Sequence, residues 1–184
     1  KLLASSQLIY GSLDSVEVVD ADAVKGAFLS PLLLLNEKPF QSNEPHEIEA
    51  FGPVSTLMPY QSIEEAIALS KLGKGSLVTT IVTNNEQEAK KYVLGAASHH
   101  GRILILNRDC AKESTGHGSP LPLLVHGGPG RAGGGEEMGG IRGVKHYLQR
   151  TAIQGSPTMI TAITTVFQPH AKGKDPGKHP FKKY

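Results

Sequence analysis

The sequence is poor in cysteine and in aromatic residues, and each shortage limits how the folded chain can be stabilised. Cys110 is the single cysteine among 184 residues, so no disulfide can form within the chain. This favours a reducing compartment, and we expect a cytoplasmic protein. Tryptophan is absent and aromatic residues make up 5%, so the core must be aliphatic. With 39% hydrophobic and 20% charged residues, the composition is typical of a globular protein rather than a disordered one.

Long apolar runs and a strong excess of one charge are also absent. No apolar segment approaches the roughly 20 residues that a membrane-spanning helix needs. The 19 basic and 17 acidic residues leave a net charge of +2, which is too balanced to predict binding to nucleic acid or to an anionic membrane. We therefore expect neither as a partner.

The middle of the chain alternates regularly between helix and strand patterns. The predicted elements are, in order, a helix at Ser62–Leu72, a strand at Ser76–Val82, a helix at Glu86–Ala97 and a strand at Ile103–Leu106. Ser62 with Glu65 forms a capping box at the first helix, and Asn85 with Glu88 does so at the second. The last strand is apolar without alternation, as parallel sheets require. This order predicts an α/β fold with a mostly parallel sheet covered by helices.

The flanking segments are less regular. Short strands are predicted at Gln7–Tyr10, Val16–Val19, Phe28–Leu35, Val54–Pro59, Leu121–Val125 and Thr151–Ile153, and a helix at Ile141–Arg150. Pro31 lacks an N–H, which predicts that the strand containing it lies at a sheet edge or a bulge. Thr158–Val166 follows a good helix start at Ser156 but is rich in threonine, so helix and strand both remain open. From Gln168 onward the proline, glycine and lysine content predicts a solvated linker.

A glycine-rich segment, His126–Gly140, invites a nucleotide-binding interpretation. Gly128, Gly130 and Gly133 have the GxGxxG spacing. Pro129 offers no N–H to a phosphate, however, and two carboxylates follow where a helix N-terminus would receive an anion. Dinucleotide binding is therefore disfavoured, and the glycines predict a backbone that turns sharply or closely approaches a ligand or another segment.

Neither the cysteine nor the histidines form a recognised catalytic or metal-binding motif. Asp109 and Glu113 are acidic neighbours that disfavour the thiolate form of Cys110, so its role stays open. The eight histidines show no HxxxH pair, and no metal site is predicted.

One stretch gathers a carboxylate, an aromatic ring and a rigid Gly-Pro corner: EAFGPV, Glu49–Val54. Taken alone, it fits a tight turn beside an exposed glutamate and a core phenylalanine. The chain continues with the helix–strand alternation, RILILN (102–107), the glycine-rich segment and GVKHYLQRTAIQ (143–154). In this order, from about Leu2 to Gln154, the chain resembles the C-terminal part of the aldehyde dehydrogenase family.

The resemblance implies the C-terminal, catalytic part of the aldehyde dehydrogenase fold, with an added oligomerisation strand. In that family a cysteine thiolate attacks the aldehyde, hydride passes to NAD or NADP, and a glutamate activates water. Glu49 would hydrogen-bond the nicotinamide ribose, Phe51 would pack beside the nicotinamide, and His126 would line the substrate mouth. The family's nucleophilic cysteine and cofactor domain lie upstream of the matching segment. Cys110 does not match the nucleophile's motif, so no catalytic residue is assigned and the chain alone is expected to be inactive.

Departures from the general family pattern point to one subgroup. His126 in place of an aromatic residue, ESTGHGSPLP (113–122) and the closing HPFKKY (179–184) resemble the aldehyde dehydrogenase domain of bifunctional ring-opening enzymes of phenylacetate catabolism. These enzymes combine oxepin-CoA hydrolase with 3-oxo-5,6-dehydrosuberyl-CoA semialdehyde dehydrogenase activity. A related group is the 3,4-dehydroadipyl-CoA semialdehyde dehydrogenases of benzoate catabolism. The implied substrate is a ring-opened, CoA-linked semialdehyde.

The same resemblance implies how the chain is divided and what it assembles with. We expect a catalytic-domain fragment at residues 1–150, an oligomerisation strand and extension at 151–168, and a linker at 169–184. A homo-oligomer and a downstream hydratase domain are the implied partners. A non-catalytic assembly module is the alternative from a different class.

Overall fold

The chain forms two compact units, Lys1–Gln61 and Ser62–Tyr184. The computed structural model describes residues 1–14, 16–113, 127–133, 148 and 150–173, and each unit carries a three-stranded sheet. The predicted α/β class is confirmed. No helix within the described ranges is long and apolar enough to cross a membrane.

The first unit is built on a mixed sheet. Its elements are β1 (Gln7–Tyr10), β2 (Leu32–Leu35), α1 (Glu44–Glu47) and β3 (Val54–Leu57). The strand order is β1-β2-β3, with β1 antiparallel to β2 and β2 parallel to β3. Leu34, on the central strand, is 2% exposed and forms part of the small core of this unit.

Two predictions for this unit are wrong. β2 is the central strand rather than an edge strand, because it begins after Pro31, so the missing N–H falls outside the ladder. Residues 16–19 form no strand. Val19 is 85% exposed there, and a strand needs both a hydrogen-bonding partner and a buried face, which alternation alone does not supply.

The second unit is built on a parallel sheet. Its elements are α2 (Ile63–Leu72), β4 (Ser76–Val82), α3 (Glu86–Ala96), β5 (His100–Leu106), β6 (Ala152–Gln154) and α4 (Pro157–Thr164). β5 is central, and β4 and β6 pair with it in parallel. The predicted elements between residues 62 and 106 are confirmed, with β5 starting three residues earlier than predicted.

Side-chain caps fix where the helices of this unit begin. The Ser62 hydroxyl accepts from the Glu65 N–H at the start of α2, as the capping box predicts. The Asn85 side chain accepts from the Gln87 and Glu88 N–H groups at the start of α3. The predicted capping box is incomplete at α3, because the Asn85 N–H donates to the Thr83 hydroxyl rather than to Glu88. The Thr83 hydroxyl in turn donates to the Glu88 carboxylate.

The core of the second unit lies between one face of the sheet and helices α3 and α4. Its buried members are Ala89, Tyr92, Val93, Ala96, Ile103, Ile105, Met159 and Ile163. Ile103 and Ile105 are fully buried. Tyr92 is the aromatic member, and its hydroxyl is satisfied by Thr79 at 2.8 Å. The core is therefore mainly aliphatic, as the composition predicts.

The threonine-rich segment that the sequence left open is helical. Ser156 accepts from the Met159 N–H at the start of α4. The hydroxyls of Thr158 and Thr161 accept from the backbone N–H groups of Lys172 and Gln168, at 2.8 and 2.9 Å. The first residues of the predicted linker are thus held against α4.

Some predicted elements lie partly or wholly outside the described residues. These are the strand at Leu121–Val125, most of the helix at Ile141–Arg150, and the linker beyond residue 173. The strand predicted at Thr151–Ile153 is confirmed as β6, where it pairs with β5 of its own chain. Its role in oligomerisation and the three domain boundaries stay predictions.

Candidate cofactor-contact site

The Glu49–Phe51 segment lies in the connection from β2 to β3, between the end of α1 and the start of β3. α1 is four residues long, and a helix this short needs support from side chains. The His46 ring lies 2.7 Å from the Pro39 carbonyl oxygen and ties α1 to the loop before it. A hydrogen bond from its own backbone N–H lowers the pKa of Glu44 in the first turn of the helix.

The loop before α1 is organised by Asn36, which is 1% exposed. Its amide donates to the Ser42 hydroxyl at 2.7 Å, and its carbonyl oxygen accepts from the Lys38 N–H at 2.9 Å. A buried amide with both ends satisfied fixes the path of the loop. The part of the connection that precedes α1 is therefore held in place.

A rigid corner follows the site. The Gly52 carbonyl accepts from the Val54 N–H at 2.8 Å across Pro53, whose ring fixes its own φ. The Pro53 carbonyl accepts from the Leu32 N–H at 2.9 Å, which joins the corner to β2. Four residues, Ile48–Phe51, thus run between a supported helix and an anchored corner.

Phe51 is the most unusual residue of this segment. Its φ is +25°, a left-handed value that a bulky residue seldom adopts and that costs on the order of 1–3 kcal/mol. Its side chain is 94% exposed, so packing does not repay this cost. The interpretation of Phe51 as a core residue is wrong.

Glu49 is exposed beside Phe51, and both line a shallow concavity of about 550 Å³ whose other lining residues are Ala50, Gly52 and Val54. No residue in the described ranges forms a hydrogen bond or ion pair with the Glu49 carboxylate. An open carboxylate next to an open aromatic ring suits a ligand that carries both hydroxyl groups and a flat ring. His126, the third predicted site residue, lies outside the described residues.

The glycine-rich loop has a structural role where it is described. A Cβ on Gly101 would overlap the Gly127 carbonyl oxygen, and one on Gly128 would overlap that of Ser76. The loop therefore packs directly on the backbone at the amino ends of β4 and β5. Ligands of α/β sheets bind at the opposite, carboxyl ends of the strands. The predicted close approach to another segment is confirmed.

A serine–histidine pair that the sequence did not reveal lies at the same end of the sheet. The Ser76 hydroxyl is 2.5 Å from Nδ1 of His100, and the two residues are register partners on β4 and β5. Burial, with a smaller contribution from the charge of His99, lowers the pKa of His100 to about 4. A pKa this low disfavours His100 as a general base near neutral pH, and we interpret the pair as structural. Predicting that β5 starts at His100 rather than Ile103 would have placed His100 opposite Ser76 on β4.

Cys110 lies in the turns after β5 and is half-buried. Its thiol is 3.5 Å from the Ile105 carbonyl oxygen. Among the described residues, no group of three histidine, cysteine, aspartate or glutamate side chains is placed to hold a metal ion.

Comparison with known proteins decides the family. The family model described as aldehyde dehydrogenase family matches residues 6–153, which is most of the chain and includes the Glu49–Phe51 site. The chain belongs to the aldehyde dehydrogenase family. Its α/β structure is consistent with part of that fold. Members of the family are oxidoreductases that typically use NAD or NADP.

Two curated relatives of this aldehyde dehydrogenase family chain are informative. Protein MaoC of Klebsiella aerogenes is 56% identical over 159 residues, which cover 86% of this chain and 48% of that protein. The 3,4-dehydroadipyl-CoA semialdehyde dehydrogenase of Aromatoleum evansii is 36% identical over 129 residues, which cover 70% of this chain and 25% of that protein. The chain thus spans about half of the first relative and a quarter of the second.

Proposed function

We propose that this chain is the C-terminal part of the catalytic domain of an NAD- or NADP-dependent aldehyde dehydrogenase. The whole protein would oxidise a ring-opened, CoA-linked semialdehyde to the acid in phenylacetate catabolism. The chain alone would be inactive, because Cys110, its single cysteine, does not match the family's nucleophile motif.

The observation that carries the proposal is the exposed Phe51 with positive φ, beside an exposed Glu49 on one concavity. Strained backbone that buries nothing is retained where the side chain has another use. Both residues lie in the part of the chain that matches the family.

The residues of this chain would bind and orient the cofactor. The Glu49 carboxylate would accept hydrogen bonds from the nicotinamide ribose hydroxyls, and charge-assisted bonds of this kind are the stronger ones. Phe51 would pack against the nicotinamide, and His126 would line the substrate mouth. When bound, the cofactor supplies the hydride acceptor that aldehyde oxidation needs.

Replacement of Glu49 tests this assignment in the whole protein. Hydrogen bonds to a charged group contribute about 1.5–3 kcal/mol, so Glu49→Ala should lower kcat/KM for the cofactor about 10- to 100-fold. Glu37→Ala, which removes another exposed carboxylate of the same connection, is the matched control and should leave the kinetics unchanged. Wild-type kinetics in Glu49→Ala would reject the ribose contact.

The substrate class rests on the relatives. The Aromatoleum evansii protein is named for a CoA-linked semialdehyde, and this supports a substrate of the same class. It also favours a second candidate, a 3,4-dehydroadipyl-CoA semialdehyde dehydrogenase of benzoate catabolism. Comparing turnover of 3-oxo-5,6-dehydrosuberyl-CoA semialdehyde with that of 3,4-dehydroadipyl-CoA semialdehyde by the whole protein separates the candidates.

A homo-oligomer and a downstream hydratase domain remain part of the proposal. β6 lies at an edge of its sheet within the described residues, as a strand used in assembly would. Sedimentation of the chain tests the homo-oligomer, and a strict monomer at high concentration argues against an assembly role.

A further inference from the structure

We propose that a segment beyond the family match acts as a strap that holds closed the turn carrying Cys110. The strap is Gln168–Lys172, and the turn is Arg108–Glu113, shortly after β5. The contact that closes it is an ion pair between Lys172 and Asp109, which we call the clip. The family match ends at residue 153, so membership of the family does not assign this device. The inference is independent of the proposed function.

The strap begins where the chain reverses direction at the end of α4. Thr165, whose φ is +61°, ends the helix in a left-handed conformation. The Gln168 N–H then donates to the Thr161 hydroxyl at 2.9 Å. The Lys172 N–H donates to the Thr158 hydroxyl, nearer the start of the helix, at 2.8 Å. The two threonines are three residues apart and therefore share one face of α4. The strap thus runs back along this face, from the carboxyl end of the helix to its amino end.

Helix α4 is a fixed base for the strap. Met159 and Ile163 are 2% and 7% exposed, and both lie in the core of the second unit. At the amino end of the helix, the Ser156 hydroxyl accepts from the side-chain amide of Asn107 at 3.1 Å. This bond joins the start of α4 to the end of β5. Because the strap ends at the same place, Lys172 lies beside the turn that follows β5.

The clip joins the strap to the turn. Nζ of Lys172 lies 2.5 Å from Oδ1 of Asp109. Beyond Asp109, the hydrogen bonds of the turn within the described residues run inside the turn or back to residues 105 and 107. The clip is therefore the contact that ties this part of the turn to another element of the described structure.

The exposure of the clip makes it easy to open. The Lys172 side chain is 74% exposed and that of Asp109 is 35% exposed. Ion pairs this open to water contribute little to stability and are screened by salt. Loss of the clip should therefore raise the population of the open turn about two- to fivefold.

Cys110 reports whether the turn is open. Its thiol is half-buried and lies 3.5 Å from the Ile105 carbonyl oxygen. An alkylating reagent must reach the sulfur, so it should react faster with the open turn. Since Cys110 is the single cysteine of the chain, all thiol labelling comes from this turn.

The test measures the rate of alkylation of the 184-residue chain by iodoacetamide, an uncharged reagent, at neutral pH, using mass spectrometry. Asp109→Asn and Lys172→Gln each break the clip, so both should label about two- to fivefold faster than the wild type. A direct effect of charge on the thiol would act in opposite directions, because losing the carboxylate favours the thiolate and losing the ammonium disfavours it. The matched control is Lys112→Gln, which removes an exposed lysine from the same turn and should not accelerate labelling.

Two more measurements use the charge and the backbone of the clip. Reversing the pair, with Asp109→Lys and Lys172→Asp together, should restore slow labelling. Hydrogen exchange of the Lys172 N–H, which is bonded to the Thr158 hydroxyl, should be faster in Asp109→Asn than in the wild type. Wild-type labelling in both single variants, opposite changes in the two, or acceleration by Lys112→Gln would overturn the proposal.

Discussion

Replacing Gly101 with alanine tests the tight packing of the glycine-rich loop on the second sheet. Gly101 is buried on β5, and an added Cβ would overlap the carbonyl oxygen of Gly127. It would also lie 2.7 Å from the Gly127 carbonyl carbon and 3.0 Å from Cα of Gly128. All of these atoms belong to backbone, so no side chain can rotate away to make room.

The magnitude follows from two opposing effects. Overpacking a close-packed site costs about 1–3 kcal/mol, and a clash with backbone belongs at the upper end. Alanine limits the freedom of the unfolded chain and regains about 0.4–1 kcal/mol. We expect Gly101→Ala to lower the free energy of unfolding by about 2 kcal/mol. For a chain of 150–250 residues this corresponds to a decrease in Tm of about 4–8 °C.

Urea denaturation followed by far-UV circular dichroism measures this difference. Gly73→Ala is the matched control, because Gly73 has a helical φ of −68° and an added Cβ would meet nothing within 4 Å. The control should be neutral or up to about 1 kcal/mol more stable than the wild type. If Gly101→Ala and Gly73→Ala prove equally stable, the loop does not pack against the amino ends of β4 and β5 as described.

Three further predictions concern the second unit. The pKa of His100 falls from 6.5 to about 4 on folding, so the unfolded chain takes up the proton at a higher pH than the folded chain. The free energy of unfolding should therefore decrease by up to roughly 3 kcal/mol as pH drops from about 6.5 to about 4. Urea midpoints measured across this range should depend less on pH in His100→Gln. Asn85→Ala removes the acceptor for two N–H groups of α3 and should cost about 1–2 kcal/mol in thermal unfolding, whereas Asn85→Asp should retain most of the stability. Ile105→Ala empties a fully buried site and should cost about 2–5 kcal/mol, and a loss below 1 kcal/mol would contradict the described core.

The elements between residues 62 and 106 could be predicted because their signals are local. A cap such as Ser62 acts within one turn of its helix, and an apolar strand such as β5 is recognisable from its own residues. The strand prediction at Val16–Val19 was wrong for the opposite reason. A strand there needs a partner strand to hydrogen-bond with, and the local residue pattern does not show whether one is present.

The candidate site was found by order and motif rather than by geometry. EAFGPV and the elements that follow it pointed to the aldehyde dehydrogenase family, which the family match bears out. The roles of Glu49 and Phe51 toward the cofactor, and that of His126 toward the substrate, stay predictions. The local sequence did not indicate that Phe51 would be exposed with a positive φ, because both are properties of the folded connection between β2 and β3.

The sequence by itself determined the α/β class, the helix starts and the family, since short-range residue patterns and their order along the chain indicate all three. The tertiary structure decided which strand is central, why the glycines are needed, and that Ser76 meets His100. These depend on residues far apart in sequence, and only the pairing of strands brings them within contact distance. The exposed Phe51 with its positive φ beside Glu49 belongs to the second group, because both properties are seen only in the folded connection between β2 and β3.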